Sequence, residues 1–278
     1  MPSAAPVAEL LDQARAGRRA SLARLLSVVE RGGPPARELG RLTHPLGGQA
    51  YTVGITGAPG AGKSTLTSAL VGEVRGDGEA VAVLAIDPSS PFSGGAILGD
   101  RVRMQDHTGD PGVFIRSMAT RGHLGGLALS TLEAIRALDA ACWPWVVVET
   151  VGVGQVEVDV AGAADTTVVV VNPGWGDAVQ ANKAGLLEIA DVFVINKADR
   201  PGTKETRRDL ERMLDLTGTS GWRPPVVATT ASTGEGVDEL WSAIRAHRSH
   251  LEESGQLSAR RAARIGDELT EIVAALLR

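Results

Sequence analysis

The sequence predicts an α/β fold: a doubly wound, mostly parallel sheet with helices on both faces and helical extensions at both ends. Three observations carry that prediction. Six short runs, residues 51–56, 80–86, 145–150, 166–171, 192–196 and 226–229, are almost continuously apolar and rich in β-branched residues, as strands covered on both faces are. Stretches long enough for helices separate most of them, which specifies right-handed βαβ crossovers. A glycine-rich loop follows the first run directly and opens a helical pattern, so polar chemistry is expected beyond the carboxyl ends of the strands.

Taken in order, residues 6–30 place Leu10, Leu11, Ala14, Leu22, Leu25, Leu26 and Val29 at helical spacing, with Ala16-Gly17 dividing the stretch into two helices. Residues 31–49 are rich in Gly and Pro and read as a linker that partly wraps the next unit. The expected organisation is a helical extension at 1–49, the α/β domain at 50–250 and a C-terminal helix at 251–278. A chain of 278 residues, 43% hydrophobic and 22% charged, can bury one large core. A net charge of −5, with no basic run longer than Arg260-Arg261, gives no general attraction to nucleic acid. The single cysteine, Cys142, excludes an internal disulfide and a thiolate cage. No signal-peptide order and no stretch near the roughly 20 apolar residues of a membrane span are present, so the expected setting is the cytoplasm, without a membrane.

Gly57-Ala58-Pro59-Gly60-Ala61-Gly62-Lys63-Ser64 fits GxxxxGK[ST] between a strand and a helix, the phosphate loop of P-loop NTPases. Its glycines let backbone N–H groups wrap phosphates, and the following helix, which begins with Lys63, Ser64 and Thr65, points its positive end at them. Lys63 is expected to reach the β- and γ-phosphates and to act in catalysis; Ser64 is expected to ligate Mg²⁺.

Residues 192–195 deliver Asn196-Lys197-Ala198-Asp199, an NKxD signature. A carboxylate such as Asp199 accepts from both N1–H and the exocyclic amine of guanine, whereas adenine presents an acceptor at N1 and leaves it unpaired. GTP and GDP are therefore the expected ligands. Lys197 can lay its stem on the base and Asn196 can tie this turn to the phosphate loop. Thr230 and Ala231, after the last strand, sit where a second base-contacting loop is expected.

Asp87 ends the second strand and opens DPSS; it can hold Mg²⁺ or simply start a turn. Asp100 closes GGAILGD and can act on the γ-phosphate or cap a helix from Arg101. The third strand ends ETVGVGQ, the layout of DxxG with Glu149 for Asp, Gly152 able to aim its N–H at the γ-phosphate, and Val153 where Ras-like proteins carry a water-positioning glutamine. Glu149 and Asp100 are then the nearest candidates to orient water, and unaided hydrolysis is expected to be slow. Arg101, Arg103, Arg116 and Arg121 on adjoining loops are all candidates for transition-state charge. In the C-terminal helix, Ile265, Leu269, Ile272, Val273 and Leu276 form a stripe that can pack on the N-terminal helices, on a second copy or on a partner; the first is the simplest. His247 and His250 read as a solvated face with no assigned role.

Together these motifs, with TRGHLGG at residues 120–126 and NPGWGDAVQANKAG at 172–185, resemble the MeaB/ArgK family of SIMIBI-class G proteins over nearly the whole chain. The resemblance implies a GTPase chaperone that gates loading of adenosylcobalamin into an acyl-CoA mutase and protects that mutase. It also implies Mg²⁺ handling and hydrolysis by Asp100 and Glu149, and a partner switch within residues 174–183 that includes Asp177, Gln180 and Lys183. The sequence departs from relatives at Trp175, bulky for that loop, and in stopping soon after the C-terminal helix, where relatives usually continue into a dimerisation arm. A homodimer nevertheless stays among the expected partners. Two other readings use the same loop: a kinase of the arginine/ornithine transport type or another P-loop kinase, and a metal-insertion GTPase, which would want the His-rich tract or paired cysteines absent here.

Overall fold

A computed structural model of the chain describes residues 6–88, 107, 109–120, 126–150, 162–174, 188–217 and 221–276. Seven strands lie within it: β1 (Tyr51–Gly57), β2 (Val81–Pro88), β3 (Val113–Thr120), β4 (Trp145–Thr150), β5 (Thr166–Val171), β6 (Val192–Asn196) and β7 (Val226–Thr229). They form one sheet in the order β3-β2-β4-β1-β5-β6-β7, with every neighbouring pair parallel. The six expected strands are all there. The seventh, β3, is not evident from sequence because Arg116 and Ser117 interrupt its apolar run; as an edge strand it tolerates them.

The described residues also hold eight helices: α1 (Val7–Arg15), α2 (Arg19–Arg31), α3 (Pro34–Thr43), α4 (Lys63–Gly76), α5 (Gly126–Ala140), α6 (Thr203–Thr217), α7 (Val237–Glu253) and α8 (Gln256–Leu276). On one face of the sheet, α4 and α7 bury Leu66, Leu70, Leu240 and Ile244 against Tyr51, Val53, Ile55 and Val147. On the other, α1, α2, α3 and α5 cover Leu84, Ile86, Phe114 and Val148, while α6 covers Val169, Phe193 and Ile195. Both faces of the central strands are dry, which explains their unbroken apolar sequence.

Three expectations need correction. Residues 31–49 are no plain linker: Pro34 opens α3, where its fixed φ suits the first helical position, and Ala36 and Leu39 are buried beneath it. The described part of the stripe on α8 does not pack on the N-terminal helices: Ile265, Leu269 and Val273 are 44, 56 and 53% exposed, and the side chains of Ile272 and Leu276 lie outside the described ones. Among the described side chains of α8 only Glu268 is buried. Charge fastens this helix instead: Arg260 to Asp191 at 3.0 Å, Arg261 to Asp165 at 2.6 Å, and Glu268 to Arg136 at 2.6 Å. Asp165 and Asp191 stand at the starts of β5 and β6, where they accept the N–H groups of Thr52 (3.0 Å) and Thr167 (2.8 Å). Such carboxylates, buried at a sheet edge, draw cations rather than leucines.

The third correction concerns His247, which is fully buried rather than solvated. Its Nδ1 is 2.8 Å from the Thr166 hydroxyl, its Nε2 is 3.2 Å from Asp191, and Trp222 covers both it and His250. Periodicity alone places it on the outer face of a lone helix, whereas α7 lies flat on the sheet.

Candidate nucleotide site

β1 runs straight into the phosphate loop, and two glycines show why no side chain fits there. A Cβ on Gly57 (φ +131°) would sit 2.0 Å from Val170 O of the neighbouring strand, and one on Gly62 (φ +87°) would sit 2.5 Å from Asn196 Nδ2. With Gly62 at the N-cap and no side chain capping it, the first turn of α4 offers its N–H groups and positive dipole to an anion. Lys63 is buried and donates from Nζ to Gly57 O (2.6 Å) and Ala58 O (3.1 Å), so its ammonium is held over the loop. Pro59 and Gly60 are exposed at its tip and Ala61 is buried at its base. Thr65, one residue past Ser64, is exposed on α4.

Ser64, on that first turn, donates to Glu149 Oε1 at 2.5 Å. The pairing follows from topology: β4 is hydrogen-bonded beside β1 with Ile55 opposite Glu149, so the end of β4 faces the start of α4. Both side chains are buried, at 8 and 2% exposure. A carboxylate and a hydroxyl brought this close form an oxygen donor set of the kind that suits a hard divalent ion such as Mg²⁺. Among the described residues no three His, Cys, Asp or Glu side chains are grouped to hold a metal by themselves. Asp87 lies at the carboxyl end of β2, one residue beyond the Ile86–Thr150 pairing; its backbone is described and its side chain is not.

β5 and then β6 follow β1 in the sheet, and β6 ends in Asn196, which knits three loops together. Its Nδ2 donates to Ala61 O at 2.8 Å, and its Oδ1 accepts from Thr229 Oγ1 and Ala231 N–H, both at 3.1 Å. The tie to the phosphate loop expected of Asn196 is therefore made. Lys197 takes a left-handed φ of +60° and donates to Gly60 O at 2.6 Å, bracing the tip of the phosphate loop. Asp199 is exposed on the same turn. Thr230 and Ala231 are buried, and Thr230 N–H bonds Glu235 O at 2.9 Å to shape the second loop. Thr229 begins the Thr229-Thr230-Ala231 stretch expected to form that second loop, but nothing in the sequence announces its bond to Asn196. Its hydroxyl nevertheless orients the Asn196 amide.

Of the remaining candidates, Asp100, Gly152, Asp177, Gln180 and Lys183 lie outside the described residues, as do Arg101, Arg103 and Arg121. Arg116 is engaged elsewhere: from β3 its guanidinium pairs with Glu30 and bonds Ser27 Oγ on α2. It ties the N-terminal helices to the sheet edge.

Comparison with known proteins shows the family. Residues 22–278 match the family model described as methylmalonyl-CoA mutase-associated GTPase MeaB. A putative GTPase of Pyrococcus abyssi is 55% identical over 97% of this chain and 84% of its own. The mouse protein named methylmalonic aciduria type A homolog, mitochondrial, is 36% identical over 88% of this chain and 64% of its own. The crystal structure of an LAO/AO transport system kinase superposes with a TM-score of 0.82 at 29% identity, covering all of this chain and 86% of that one.

Proposed function

The chain belongs to the MeaB family of mutase-associated GTPases, and from that premise we propose that it is a GTP-driven chaperone of an adenosylcobalamin-dependent acyl-CoA mutase. It is a P-loop GTPase that binds guanine nucleotide. The finer reading is that nucleotide state gates cofactor loading into the mutase, of the methylmalonyl-CoA type, and its protection. The observation that supports it most is the Asn196 node, which joins phosphate loop, guanine turn and second base loop through 2.8–3.1 Å hydrogen bonds. A site so tied can report in one place which nucleotide is bound.

In this reading the loop amides from Gly57 to Ser64 and the Lys63 ammonium cradle the β- and γ-phosphates. Ser64 and Glu149, together with Asp87 and Asp100, would hold Mg²⁺, which would neutralise charge on the phosphate oxygens. Asp199 selects guanine, flanked by Thr230 and Ala231. Glu149 or Asp100 orients the attacking water, and Gly152 donates to the γ-phosphate. With Val153 where a water-positioning glutamine stands in Ras-like proteins, turnover without the partner is slow. Asp177, Gln180 and Lys183 face the mutase, and the setting is the cytoplasm.

The test is co-purification with an acyl-CoA mutase in the GDP and GTP states. Association that differs between them is expected; none in either state would count against the chaperone reading. Similarity to the LAO/AO transport system kinase favours a second reading, phosphoryl transfer to an acceptor. Release of free phosphate from GTP with no labelled acceptor separates the two.

A further inference from the structure

The turn that leaves β5 is fastened to the element that follows the guanine turn. Gly174 N–H donates to Thr206 Oγ1 at 3.0 Å, and Thr206 is only 3% exposed. Thr206 stands in the first turn of α6, its own N–H bonded to Gly202 O at 3.0 Å. Gly202, at φ +95°, lets the loop close on the β5 turn: a Cβ there would lie 3.4 Å from Gly174 N and 3.7 Å from Pro173 Cβ.

The same loop is bonded back to the base reader. Thr203 Oγ1 donates to Ala198 O (3.1 Å) and Arg200 O (2.9 Å), and Arg200 N–H donates to Lys197 O (3.0 Å). Residues 196–206 thus form one hydrogen-bonded unit with Ala61 of the phosphate loop at one end and Gly174 at the other. At the far end, Asn172 Oδ1 is buried and accepts no hydrogen bond among the described residues. A buried acceptor without a donor favours any rearrangement that supplies one. The β5 turn is therefore tied to α6 through Gly174, with the Asn172 side-chain carbonyl unpaired among the described residues.

We infer that Thr206 is a positioning residue that couples guanine occupancy of residues 196–199 to the turn at residues 172–174. The inference rests on reading 196–199 as the guanine turn. Base binding orders that turn, Thr203 and Gly202 pass the constraint to the start of α6, and the Thr206 hydroxyl holds Gly174. Coupling of this kind requires only that the two ends share bonds that differ between bound and free states.

The experiment follows the Gly174 amide by NMR hydrogen exchange, with and without saturating GDP, alongside calorimetric GDP affinity. In the unmodified chain and in Thr206→Ser, GDP is expected to slow exchange at least about fivefold, the lower end of ordinary coupling. In Thr206→Val the slowing should fall below about twofold while the GDP dissociation constant stays within about threefold. Should the valine variant not fold, Thr206→Ala, which leaves room for a water at the Gly174 N–H, takes its place. A response in the valine or alanine variant equal to the unmodified chain, or no restoration by serine, would overturn the inference. GDP binding with an indifferent Gly174 would overturn the coupling alone; no GDP binding at all would overturn the site reading and the coupling with it.

Discussion

The two ends of the sheet use similar residues to opposite effect. At the carboxyl edge, Lys63, Ser64, Glu149 and Asn196 gather around glycines and an uncapped helix start, an arrangement that suits a charged ligand. At the amino edge, Asp165, Asp191 and His247 are just as buried or nearly so, and the two carboxylates are met by arginines of α8. Arg261 and Arg264 both reach Asp165, and Arg260 reaches Asp191. Burial raises the cost of a charge at either end. At the amino edge α8 supplies the opposite charge, whereas at the carboxyl edge the glycines and the uncapped start of α4 leave backbone N–H groups for an incoming anion.

Substitutions can break that comparison. The largest effect is expected from Lys63→Ala: GDP and GTP affinity should fall at least about a thousandfold, near 4 kcal/mol, with the melting temperature little changed. Isothermal titration and a thermal melt check both halves. At the other edge, Asp165→Asn leaves Arg261 and Arg264 without their carboxylate and should cost about 3 kcal/mol of stability in urea unfolding. Nucleotide affinity should be unaltered; a parallel loss would mean that the two edges are not separate.

A smaller effect is expected from Glu149→Ala. Single-turnover hydrolysis should slow about a hundredfold, near 2.7 kcal/mol, while GDP affinity drops far less than in Lys63→Ala. Equal binding losses in both variants would reject this division of roles.

The smallest effect concerns acid. Burial pushes the Asp191 carboxyl up, but His247, Arg260 and the Thr167 N–H outweigh it and hold it below its ordinary value. A carboxyl lowered in the folded state contributes stability above its unfolded pKa of about 3.9, and the contribution is lost as pH falls through the folded value. Melting temperature should therefore fall more steeply below about pH 4 in the unmodified chain than in Asp191→Asn. Identical slopes would remove Asp191 from the acid response.

The carboxyl edge is largely legible in the sequence because its chemistry is encoded in contiguous motifs. GxxxxGK[ST] and NKxD fix backbone shape and ligand atoms within a few residues, and the strands before them read as unbroken apolar runs. The amino edge is not, because it is assembled from single residues far apart in sequence. Asp165 meets Arg261 across 96 residues, and Thr166 meets His247 across 81. Periodicity identifies an apolar stripe on α8 yet cannot tell which side faces the body, since the body there presents carboxylates. The edge strand β3 is hidden for a related reason: its Arg116 answers Glu30 on α2, a partner no local pattern announces.

The central claim is that a guanine nucleotide fills the carboxyl edge and that Asp199 chooses it. Titrating the magnesium-replete chain with GTP and with ATP side by side tests it most directly. GTP is predicted to bind about a hundredfold or more tighter than ATP, with the preference lost in Asp199→Asn. Equal affinities, or a preference for ATP, would contradict it.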